Sequence, residues 1–265
     1  MKDGVITNAK VTKRTHEAPG IAGSFMTEIM LRHCVFGKLE EFFPNLPPYA
    51  EEVRMIPMSP EMEAEYVQFE ATARDELGRM LRNHDKRGLG AFVRSILDCC
   101  ENAYRGREMN FPNGEDAYFA PIGEEIQPKE RDLVEFVQAG IADRRKVCVY
   151  VENTSTIDIT PRIVSVLKQE IPGVDVRVLK DNSTADRQER IDKWDRDGMQ
   201  VLITNPSRVE VGMDMPWATR VYYYQLPLST FVLRQASKRG RGIYQTRDIQ
   251  VVFAIYQHTM QAKQL

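Results

Sequence analysis

Five cationic side chains, Arg234, Lys238, Arg239, Arg241 and Arg247, fall within one short stretch of the sequence, where Asp248 is the single acid. Guanidinium and ammonium groups at that density suit a polyanion, either a nucleoside triphosphate or a nucleic-acid backbone. A solvated charged face would have the same composition. Two further segments offer polar chemistry. Glu152-Asn153-Thr154-Ser155 sets four hydrogen-bonding side chains side by side before a predicted helix, where free amides would favour a phosphate and where an N-cap has the same residues. Residues 204–214 form a long connection in which Gly212 permits close backbone approach and Asp214 supplies a carboxylate, or a turn cap. GxxxxGK[ST] is absent from the sequence, so the chain carries no phosphate-cradling loop and is expected not to hydrolyse ATP alone. Cys34, Cys99, Cys100 and Cys148 form no CxxC pair, and His16, His33, His84 and His258 lack helical ligand spacing, so no metal site is expected.

These residues need a scaffold, and the apolar spacing supplies one. From residue 128 onward, helical and strand patterns alternate: a helix over 128–141, then strands at 147–151, 174–179, 201–204, 220–224 and 249–256, with helices at 157–171, 184–196 and 230–239 between them. Unalternating apolar strands in repeated βα units predict an α/β fold, a parallel sheet with helices on both faces. Such sheets bind ligands beyond the carboxyl ends of their strands, which points to the loops after residues 151, 204 and 224. Tyr222, Tyr223, Tyr224 and Trp194 read as core rather than as stacking platforms.

Residues 1–127 read differently. A tail precedes one helix over 24–43, Pro47-Pro48 interrupts, and a short strand follows at 52–58. Ser59-Pro60 then opens a long amphipathic helix, a second helix follows Gly88, and 105–127 reads as a loop. The expected organisation is therefore a mainly helical region, 1–127, and an α/β domain, 128–265. With 265 residues, 42% hydrophobic and 28% charged, the chain is neither collagenous nor broadly disordered, and no apolar run is long enough for a membrane span. Its net charge of −2 divides into about −7 over residues 1–140 and about +5 over 141–265, so the basic excess lies in the second part.

The second part resembles the C-terminal RecA-like lobe of a superfamily 2 helicase or translocase of the Swi/Snf type, nearest to helicase-like proteins of phages and mobile elements. Val149-Tyr-Val-Glu-Asn-Thr-Ser155 is similar to helicase motif IV, residues 205–214 to motif V, and Gln235-Ala-Ser-Lys-Arg-Gly-Arg-Gly-Ile-Tyr-Gln245 to motif VI. Residues 46–104 resemble the stretch by which such motors leave lobe one and build a helical protrusion. The resemblance implies ATP with Mg2+ held between two lobes, with Arg239, and Arg241 one position before the family's second arginine (Gly242 here), acting on the transferred phosphoryl group. It implies that Glu210, Gly212, Asp214 and Gln235 face the nucleotide, and that Asn153, Thr154, Ser155, Asn205 and Lys238 contact nucleic acid, DNA or RNA. The implied partner is a first RecA-like lobe, in cis or in trans, with its phosphate loop upstream of Met1. A cytoplasmic location and no membrane partner are expected. Two other readings use the same residues: a non-catalytic nucleic-acid- or protein-binding module, and the nucleotide-sugar lobe of a glycosyltransferase, which leaves the 235–245 run without a purpose.

Overall fold

The computed structural model describes residues 23–264 apart from 36, 38, 112–113, 153–156, 181–185 and 210–212. Two units are separated at Asn45: Met1–Asn45 and Leu46–Leu265. In the first, the single helix expected over 24–43 is broken. A helical run from Gly23 to His33, with π geometry over Met26–Met30, ends where Cys34 turns extended, and Leu39–Phe42 forms a separate turn. Phe25, Ile29 and Leu31 are exposed, so the apolar stripe lacks the packing that holds a short helix together.

The second unit is built on one parallel sheet. Its strands are β1 (Tyr49–Ile56), β4 (Val147–Tyr150), β5 (Val176–Leu179), β6 (Val201–Thr204), β7 (Arg220–Tyr223) and β8 (Ile249–Tyr256), in the order β1-β8-β7-β4-β6-β5. The short strand expected in the interlobe stretch is thus the edge strand of the same sheet, paired from Tyr49↔Ile249 to Ile56↔Tyr256. Residues 105–127 are more than a loop: β2 (Arg107–Met109) and β3 (Ala117–Phe119) form an antiparallel hairpin that buries Met109, Ala117 and Phe119. Three-residue strands are too short to show a period of two in the sequence.

The helices are α1 (Pro60–Arg82), α2 (Leu89–Asp98), α3 (Pro128–Ala142), α4 (Thr160–Glu170), α5 (Arg187–Arg196) and α6 (Thr230–Ser237). Ser59 caps α1 by accepting from the Met62 amide, and α3 opens on a capping box between Gln127 and Glu130 with Pro128 at its first position. Alternate strand residues enter two separate cores. Val147, Val149, Val201, Ile203, Tyr222 and Val252 pack with α1 to α4, whereas Cys148, Tyr150, Leu202, Val221, Tyr223 and Phe253 pack with α5 and α6. Helices therefore cover both faces, as the unalternating strands require. The first core runs without interruption from Met62 through Phe119 to Leu133 and Tyr256, so residues before and after 128 share one interior.

A buried ion pair crosses the same junction. Lys129 Nζ lies 3.0 Å from Glu101 Oε1 and 3.3 Å from Gln261 Oε1, over the rings of Tyr224 and Tyr256. Gln261 in turn donates to Glu101 Oε1 at 2.9 Å and to the Leu97 carbonyl at 3.0 Å. Both ends of the pair are thus bonded, which an ion pair removed from water requires.

Three thiols, Cys99, Cys100 and Cys148, are buried, and Cys34 is exposed. Burial pushes Cys148 up to about 12 and Cys100 well above the ordinary thiol range. In the native protein at pH 8, a disulfide reagent is expected to label Cys34 fast and the other three on the timescale of unfolding; a second fast thiol would contradict the placement.

Candidate functional site

The carboxyl rim of the sheet is knitted around Glu152, the second residue after β4. Its backbone amide donates to Gln225 Oε1 beyond β7 at 3.0 Å, and its carbonyl accepts from Asn205 Nδ2 beyond β6 at 2.5 Å. Asn205 Oδ1 also accepts from the Ser207 amide at 2.8 Å and its hydroxyl at 2.6 Å. Asn205, expected to touch a phosphate backbone, is 8% exposed and spends its carboxamide tying two rim loops together. Asn153, Thr154, Ser155, Glu210 and Gly212 lie outside the described residues.

Asp214 is exposed, and its backbone is clamped by Gln188 of α5: the Asp214 amide donates to Oε1 and its carbonyl accepts from Nε2, both at 3.0 Å. One residue earlier, the Met213 carbonyl accepts from Arg239 Nη1 at 3.1 Å. The sequence segments ending in Asp214 and beginning at Gln235 therefore meet. Arg239 is half-buried, pairs with no carboxylate among the described residues, and its buried Nε has no hydrogen-bond partner there. A guanidinium with one donor engaged and another buried and unused suits an anion, because an unsatisfied buried donor costs about 1–3 kcal/mol.

The sheet holds α6 by two of its carbonyls. Tyr223 Oη donates to the Leu233 carbonyl at 2.9 Å, and Tyr150 Oη donates to that of Ala236 at 3.2 Å. Burial raises both phenols above their ordinary range, so they remain protonated donors. Beyond α6, Gly240 packs against backbone: a Cβ there would stand 2.2 Å from the Ala218 carbonyl oxygen, whereas one at Gly242 would meet nothing within 4 Å. Gly240→Ala is accordingly expected to cost about 1–3 kcal/mol, and Gly242→Ala less than about 0.5 kcal/mol, in urea unfolding. Equal effects would show that the turn is not held against Ala218.

Gln245 fixes the rest of that turn. Its Nε2 donates to the carbonyls of Gly240 at 2.7 Å and Pro216 at 2.8 Å, and its Oε1 accepts from the amides of Thr246 and Arg247, both at 3.0 Å. Neither Gln245 nor Gln188 stands out by spacing or charge, and each acts through backbone, so the sequence carried no signal of these roles.

The five cations do not form one patch. Arg234, Gln235 and Lys238 are exposed on or beside α6, and Arg239 faces the Met213 carbonyl. Arg241 lies over the Tyr49 ring, 5.0 Å from its centroid, at the amino end of β1. Arg247 donates to the Arg144 carbonyl at 3.0 Å, just before β4. Two of the five thus sit at the amino edge of the sheet, opposite to the edge that parallel-sheet logic singles out.

No group of three His, Cys, Asp or Glu side chains among the described residues could hold a metal ion, and no described helix is long and apolar enough to cross a membrane.

With this geometry in place, comparison with known proteins is informative. Residues 128–242 match the family model of the helicase conserved C-terminal domain. Among solved structures, the C-terminal part of the Fun30 ATPase domain is similar, with a TM-score of 0.59 and 15% identity over 83% of this chain and 89% of that chain. No curated protein matches by sequence. The fold is the RecA-like α/β fold, and the similarity to a helicase C-terminal domain spans the rim loops, α6 and Arg239.

Proposed function

We propose that this chain is the second RecA-like lobe of a Swi/Snf-type ATP-dependent helicase or translocase acting on DNA or RNA. The observation that carries the reading is Arg239, half-buried, tethered by one nitrogen to the Met213 carbonyl beside Asp214, and holding a second donor with no partner among the described residues. That is the arrangement an arginine needs in order to stabilise charge developing on a transferred phosphoryl group supplied by another lobe. In this reading Asp214 and Gln235 flank the nucleotide, with Glu210 and Gly212, and Lys238 together with Asn153, Thr154 and Ser155 contacts the nucleic-acid backbone. Mg2+ would be held by the nucleotide and the first lobe.

The chain alone is expected to hydrolyse ATP at the background rate and to gain nucleic-acid-stimulated hydrolysis when joined to a RecA-like first lobe that carries a phosphate loop. Hydrolysis by the purified chain alone would overturn this division of labour. One observation favours the second reading, a non-catalytic binding module: Arg241 stacks on Tyr49, which leaves Arg239 as the one arginine of its segment beside Asp214.

A further inference from the structure

The amino edge of the sheet carries a groove of about 430 Å3 that none of the roles above uses. It is lined by the turn before β4, with Arg144 and Lys146, by the turn before β8, with Tyr244 and Arg247, and by Trp217. The two turns are joined, because Arg247 Nη1 donates to the Arg144 carbonyl at 3.0 Å.

The charges of the groove are only partly cancelled. Lys146 is bonded to Asp195, and Arg145 to Asp248 at 2.5 Å. The Arg145 guanidinium keeps the Asp248 carboxyl below its usual range, so that acid stays ionised and paired. Asp143, mostly exposed, stands 3.8 Å from the buried guanidinium of Arg220. Arg144 and Arg247 remain exposed, with no carboxylate partner among the described residues. The same groove presents an aromatic ring to solvent. Tyr244 is 90% exposed, yet its turn is held rigid by the four hydrogen bonds of Gln245. An exposed ring in one groove with two arginines that lack a carboxylate partner among the described residues offers a π-face for a base and cationic donors for phosphates.

We propose that this groove binds a single strand of nucleic acid, with a base stacked on Tyr244, phosphates on Arg144 and Arg247, and Trp217 at the floor. A duplex keeps its bases stacked and hidden, so it could use the arginines but not the tyrosine. The site lies at the opposite strand ends from the rim loops around Glu152, and its occupation does not depend on Arg239 or on ATP.

The two tryptophans of the sequence, Trp194 and Trp217, make the test direct. In a Trp194→Phe chain at low salt, a labelled dT20 oligonucleotide is expected to bind by anisotropy and to quench the remaining indole. Tyr244→Ala should weaken binding about 5- to 150-fold and Tyr244→Phe should restore it, while Arg144→Ala and Arg247→Ala should each lower the slope of log K against log salt by about 0.7. The exposed position of Tyr244 keeps these variants folded, which circular dichroism checks. Absence of binding at low salt, equal affinity for a duplex of the same length, displacement of dT20 by ATP at equal phosphate concentration, or indifference to Tyr244→Ala would each overturn the proposal. None of these outcomes bears on ATP hydrolysis through Arg239, which is read by a different assay.

Discussion

Replacing Arg239 with alanine is expected to lower kcat for ATP hydrolysis about 10³- to 10⁵-fold once the chain is joined to a first lobe, with a much smaller change in KM. The reasoning starts from the donors of a guanidinium. Nη1 is committed to the Met213 carbonyl, which fixes the plane of the group, and Nε is buried with no partner among the described residues, so a phosphoryl oxygen placed there adds a charge-assisted bond. Such a bond strengthens as charge develops and so acts on kcat. Arg239→Lys should recover little, because an ammonium cannot reach the carbonyl and the phosphoryl group as a planar fork does. Stability should fall by only about 1 kcal/mol in either variant, since one hydrogen bond is lost. Steady-state hydrolysis paired with urea unfolding separates the two effects; a kcat unchanged in Arg239→Ala would remove the arginine from the mechanism.

The second large effect concerns the junction between α2 and the sheet. Lys129→Met should destabilise the chain by about 3–5 kcal/mol, because it leaves the Glu101 carboxylate buried without its cation. Burial already raises Glu101 above the usual carboxylate range, even with Lys129 beside it. An acid whose folded pKa lies above its unfolded value binds more protons when folded, so stability falls as pH rises between the two values. Removing Lys129 takes away the influence that lowers Glu101 and widens that window. The deficit of Lys129→Met should therefore shrink as the pH is lowered, because a protonated Glu101 leaves no stranded charge. Replacing both partners, Lys129→Met with Glu101→Leu, should recover most of the loss. A deficit independent of pH would mean that lost packing, rather than the stranded carboxylate, dominates.

Much of this architecture can be read from apolar spacing. The strands at 201–204 and 249–256 coincide with β6 and β8, because short apolar runs bounded by turns allow few alternatives. The Ser59-Pro60 start of α1 and the change of pattern at residue 128 are equally local signals. What pattern could not show is partnership across distance. Tyr49 to Ile56 looks like a connecting strand until Ile249 to Tyr256 pairs with it, some 200 residues later. The helix expected over 24–43 has the right period, yet the helical run ends where Cys34 turns extended. At the site, the contact of Arg239 with the Met213 carbonyl carries no signal in spacing. The division of the basic run was not anticipated, since Arg241 and Arg247 are drawn away by Tyr49 and the Arg144 carbonyl, and neither partner is near in sequence.

The central claim is that the guanidinium of Arg239 waits for a nucleotide presented by a second lobe. The most direct measurement is a structure of this chain joined to a phosphate-loop lobe, with ATP replaced by ADP and aluminium fluoride. The prediction is that Arg239 keeps Nη1 on the Met213 carbonyl while Nε or Nη2 lies within hydrogen-bond distance of a fluoride. A closed complex in which Arg239 stays on Met213 alone, and another residue contacts the fluoride, would contradict it.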